Sequence, residues 1–156
     1  STLLELRLGH RGRRNRKDLE GCTVTVFAHH GRGGGRLLGS GLNLMEHMVK
    51  AIEADIYLMA HNHSKVTAPL DRLYRTRSGY LYHRTKILAR TGGWLRGYLA
   101  SAPIESRPAR ESRGSYVEQE AYVPSTLGGL VFGLGWKRVQ HHPDVDFYVP
   151  DIHLSV

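Results

Sequence analysis

Hydrophobic positions along the chain change period several times, and each change marks an element. Residues 3 to 8, LLELRL, alternate well enough for a strand, and CTVTVFA at 22 to 28 is short and rich in β-branched residues, as strands are. From Gly41 the period lengthens. Leu42, Met45, Met48, Val49 and Ile52 recur at helical spacing, with Ser40 placed to cap the first turn and Glu46 following in the first turns. DIYLMA at 55 to 60 is then a continuous apolar run, as expected of a strand covered on both faces. Strand, helix and strand within about forty residues predict a βαβ unit over 22–63, with parallel strands and a right-handed crossover.

Beyond that unit the texture is β-rich, over 73–156. LYRTRSGYLYHR (73–84) predicts a hairpin turning at Ser78-Gly79, followed by strands at 85–91 and 94–100. Residues 102–115, with two prolines and mixed charge, predict an exposed loop, and 128–139 and 146–156 predict two closing strands. The fold class expected is α/β: one βαβ unit followed by a β-rich mixed or antiparallel sheet, all within one domain over 1–156.

Composition narrows the function classes. The chain has 156 residues, a length that fits one domain, and 22 Lys and Arg against 14 Asp and Glu give a net charge of +8. Its surface should attract anions such as phosphate esters, nucleic acid or acidic membranes. Much of the excess lies in RGRRNRK at 11 to 17, read first as a solvated loop. The single Cys22 excludes an internal disulfide framework and agrees with a cytoplasmic setting. No apolar run reaches the roughly 20 residues of a membrane helix, so no membrane partner is expected.

Histidines supply the candidate chemistry. In open parallel sheets, functional groups gather beyond the carboxyl ends of the strands. Here the first strand runs into His29 and His30, and the second into His61 and His63. Parallel strands bring both exits to one edge. If 61–63 continues extended, both rings of the pair face the same side, with Asn62 as the spacer. Imidazole is a common ligand for borderline metals, so a metal site is expected. His10, His47 and His83 are read as ordinary surface residues. The contiguous letters H-N-H do not indicate the nuclease of that name, whose residues are scattered over a hairpin and helix. GGGRLLGS lacks the Gly-Lys-Ser/Thr ending of a nucleotide-binding P-loop.

The stretch from AHHGRGGG to LMAHNH resembles the C-terminal half of a calcineurin-like metallophosphoesterase, above all members carried by bacterial viruses. That family has a strand-end histidine, a helix, and an apolar strand ending in Gly-His-x-His. The resemblance implies one half of an αββα sandwich. It implies His30, directly before Gly31, as the strand-end ligand, with His29 as the alternative. His30 and His61 would hold one metal of a dinuclear centre of manganese, iron or zinc, and His63 would hold the other. Gly31, Arg32 and Gly33 would approach the substrate phosphate. The implied activity is metal-dependent hydrolysis of phosphate monoesters or diesters, nucleic acid among the candidate substrates.

Two departures qualify this. Ala60 stands where the family has glycine, and the motifs Asp-x-His, Gly-Asp-x-x-Asp and Gly-Asn-His, which the family places earlier, are absent before His30. Without the bridging aspartate, at most one weakly held metal is expected, no catalytic residue is assigned, and a missing N-terminal half is expected to carry the rest. Asp151-x-His153 and HHPDVD (141–146) are secondary ligand candidates, read as a terminal strand and an exposed turn. The rival function is a basic, β-rich module that binds nucleic acid or a partner protein without catalysis.

Overall fold

The computed structural model describes residues 1–11, 19–31, 38–61, 63–76, 79–94, 127–142 and 145–155. The expected strand over 94–100, apart from Trp94, and the expected loop over 102–115 lie outside them. Seven strands and one helix are present among the described residues: β1 (Thr2–Arg11), β2 (Leu19–His29), α1 (Leu38–Ala51), β3 (Ile56–Met59), β4 (Val66–Arg75), β5 (Leu81–Arg90), β6 (Val131–His142) and β7 (Val145–Ser155). The protein is mixed α/β, mostly strand. No helix among the described residues is long and apolar enough to cross a membrane.

Five strands form a mixed sheet in the order β1-β2-β3-β5-β4. β2, β3 and β5 are parallel, while β1 pairs antiparallel with β2 and β4 antiparallel with β5. The expected βαβ unit is present, with α1 crossing between β2 and β3. The helix begins earlier than its period suggested, at Leu38, so Ser40 lies inside it and not at its cap.

The strand expected at 85–91 is not separate from the hairpin before it. Residues 81–90 form one strand, β5, whose second half from Lys86 to Arg90 is buried. Such a strand belongs in a sheet's interior, and β5 lies between β3 and β4. Its hairpin with β4 closes where the Gly79 N–H donates to the Thr76 carbonyl at 3.0 Å, with Gly79 at φ 93°. β4 is an edge strand, which is why Pro69, with no N–H to give a ladder, is accommodated in it.

The two sheet faces are covered by different elements. Phe27, Tyr57, Met59 and Leu88 face α1 and pack with Met45 and Val49. Val24, Val26 and Ile56 point the other way and meet Phe132, Leu134 and Ile152 of the β6–β7 ribbon. The period-2 alternation of β2 and β3 thus feeds two cores from one sheet. Tyr57 is wholly buried beneath α1, and its hydroxyl donates to the Ile52 carbonyl at 2.6 Å and accepts the Ala54 N–H at 2.9 Å. It fastens the helix end to the strand that follows.

Candidate metal centre

The register of the parallel strands sets the position of every candidate ligand. His29 lies opposite Met59, and Met59 opposite Arg90, so β2, β3 and β5 end level with one another. His30 and His61 each stand just beyond that edge. The chain reaches His61 through Ala60, whose N–H donates to the His29 carbonyl at 3.4 Å.

These two histidines meet. His61 Nδ1 lies 3.2 Å from His30 Nε2, with the rings nearly perpendicular at 79°. Two nitrogens bound to one tetrahedral ion at 2.0–2.1 Å would be about 3.3 Å apart. The pair therefore has the spacing of adjacent ligands, and as free imidazoles one ring can donate to the other. An open pocket of about 350 Å³ lies at this edge, lined by His29, His30, Leu58, Met59, Ala60 and Thr91 among others.

His29 and His30 have separate roles. His29 Nδ1 accepts the Gly31 N–H at 2.8 Å, and its ring stacks on Phe27 with centroids 6.5 Å apart. His30 is the one that reaches His61. Gly31 fits its position for two reasons: φ is 85°, and a Cβ there would come within 2.9 Å of Met59 Cγ. Arg32 and Gly33, the other members of the expected phosphate loop, lie outside the described residues.

His63 departs from the expected arrangement. The extended geometry that would aim His61 and His63 to the same side ends with β3 at Met59. His61 has φ 76° and His63 φ 41°, both in the left-handed region that non-glycine residues rarely occupy. His63 instead packs on Gly93, where an added Cβ would fall 2.8 Å from the His63 Cβ. Among the described residues, no three His, Cys, Asp or Glu side chains gather as a group able to hold a metal ion. Asp151 and His153 lie side by side on β7, 3.1 Å apart, with Lys137 of β6 3.8 Å from the same carboxylate. The side chains of HHPDVD lie outside the described residues.

Among the described residues three buried charges have no counterpart in the sequence reading: Asp55, Lys86 and Arg90. Asp55, just before β3, takes the Arg84 guanidinium in a two-pronged contact of 2.6 and 2.7 Å. It also accepts the Thr25 N–H and hydroxyl at 2.9 and 3.0 Å. Burial alone would lower the Arg84 pKa, but Asp55 beside it holds that pKa above its ordinary value. Lys86, fully buried, donates to Glu53 and to the Ala54 carbonyl. Alternation along RTKILAR is the one signal that could have shown these cations aligned on a single side of β5.

In comparisons with known proteins, no family model, no curated protein and no solved structure matches the chain.

Proposed function

We propose that this chain carries the histidine portion of a metal-dependent phosphoesterase centre of the calcineurin-like type, in the form of half its αββα sandwich. The observation that carries the reading is the 3.2 Å approach of His30 and His61 beyond the level ends of two parallel strands. Two imidazoles at that spacing suit a first metal ion of the borderline class, zinc, manganese or iron. Their donor set is half of what a tetrahedral site uses. Carboxylate and Asn-His groups from outside these 156 residues would complete a dinuclear centre, His63 would have to turn away from Gly93 to serve its second ion, and alone the chain is inactive. Such ions, when bound, supply Lewis-acid polarisation of a phosphoryl oxygen and an activated water. The residues in hand do the positioning. Gly31 keeps the backbone clear of Met59, His29 holds the Gly31 N–H, and the left-handed turn at His61 aims its ring at His30.

Calorimetric titration of the chain with zinc tests this directly. One equivalent should bind to the wild type, and His30→Ala or His61→Ala should abolish binding. His63→Ala should leave that first equivalent in place. Absence of zinc binding, or binding indifferent to His30 and His61, would overturn the reading. The charge of +8 fits a phosphate substrate and fits equally a non-catalytic nucleic-acid module. That rival is told apart by steeply salt-dependent binding to DNA or RNA that His61→Ala leaves unchanged.

A further inference from the structure

The strand β5 presents three cations towards the α1 side, and among the described residues only two of them meet a carboxylate. Arg84 has Asp55, and Lys86 has Glu53. Arg90, at the carboxyl end of the same strand, is 2% exposed, and its Nε has no hydrogen-bond partner among the described residues. Among the described residues no charged group offsets its burial, and desolvation pulls its pKa below the ordinary value. A guanidinium covered this way is costly unless an anion meets it.

Its surroundings add to the positive potential. Arg90 lies against Gly41 in the opening turns of α1, so closely that a Cβ on Gly41 would fall 2.2 Å from Nη1 and 2.7 Å from Cζ. The first turn of α1 carries no acidic residue. A helix N-terminus presents unpaired N–H groups and the positive end of the helix dipole. Helix end and guanidinium therefore reinforce each other, with no carboxylate among the described residues to balance them.

We infer that Arg90 and the N-terminal turn of α1 form an anion subsite that takes a phosphoryl group. A planar guanidinium fork and a helix N-terminus are two favoured partners of phosphate oxygens. Arg90 stands two strands from His29 along a shared register, about 10 Å away across the sheet edge where His30 and His61 meet. A phosphoryl group is named as the ligand because the subsite rests on the phosphoesterase reading for that identity; the need for an anion comes from Arg90 alone.

Inorganic phosphate titrated into the full chain in the presence of EDTA, with chloride held constant, tests the subsite without any metal. Binding should be measurable in the wild type and at least about tenfold weaker in Arg90→Met. With no phosphate present, Arg90→Met should melt no lower than wild type, because it removes an unmatched charge. Gly41→Ala drives a methyl group into the guanidinium while favouring the helix, and should weaken phosphate binding as well. No phosphate binding by the wild type, or equal binding by all three proteins, overturns the inference. If Arg90→Met fails to fold, unchanged affinity in Gly41→Ala overturns it alone. Arg90-dependent phosphate binding without zinc binding by His30 and His61 would keep the subsite and sink the phosphoesterase reading. Zinc binding with Arg90-independent phosphate binding would do the reverse.

Discussion

The two ends of the parallel strands use charge in opposite ways. At the amino end, around the start of β3, both buried ions among the described residues have a complement. Asp55 gathers four donors from Thr25 and Arg84, and Lys86 has Glu53 and a backbone carbonyl. At the carboxyl end two histidines crowd at 3.2 Å, two residues hold left-handed backbone, and the Nε of the buried Arg90 has no partner among the described residues. The first end is closed and contributes to stability. The second keeps strained backbone and unsatisfied polarity, the features expected of the site proposed above.

The comparison breaks most sharply at Asp55. Removing one partner of a buried pair leaves the other uncompensated, so Asp55→Ala should lower unfolding free energy by about 3–5 kcal/mol in urea denaturation. Arg84→Met added to Asp55→Ala should recover part of that loss, since it removes the stranded charge. A loss below about 1 kcal/mol for Asp55→Ala would mean the amino end is not the scaffold described.

A substitution at the opposite end should change sign. His61 is exposed and held at φ 76°, a conformation that costs a non-glycine residue about 1 kcal/mol. His61→Gly should therefore raise stability by about 0.5–1 kcal/mol while removing zinc binding. Stability bought at the expense of binding is what a site, and not a scaffold, shows on mutation. A destabilised His61→Gly would place that turn with the structural end.

The βαβ unit and the shared edge of its histidines are legible in the sequence, and the buried charges are not. The βαβ unit was readable because Met45, Val49 and the run from Ile56 to Met59 have the periods of a helix against a strand and of a strand covered on both faces. The order of the histidines along the chain also predicted that His30 and His61 would share an edge. The direction of His63 was not readable, since it depends on backbone angles beyond the end of a strand and not on the alternation within it. The continuity of β5 across 84 and 85 is not readable either, since the burial of its second half follows from its place between β3 and β4. Arg90 is the extreme case. An arginine ending an apolar strand ordinarily extends to water, and only the close approach of Gly41 shows that it is covered.

The smallest effect belongs to Glu53, and it tests how closed the amino end is. Burial would raise its pKa, but hydrogen bonds from Lys86 and from the Tyr74 hydroxyl at 2.6 Å outweigh that and hold it below the ordinary value of 4.5. A carboxylate with a depressed folded pKa adds stability that is fully present above its unfolded value and is lost as pH falls through the folded one. The loss should therefore appear below pH 4.5 and be absent in Glu53→Gln. Its side chain is 63% exposed, so solvent screening holds the effect under about 1 kcal/mol. Lys86→Met should flatten the same part of the pH profile, because without the ammonium the main hydrogen bond lowering the Glu53 pKa is gone. Were the two variants to keep the wild-type slope below pH 4.5, Glu53 would be a passive surface acid, and Lys86 would rest on the Ala54 carbonyl alone.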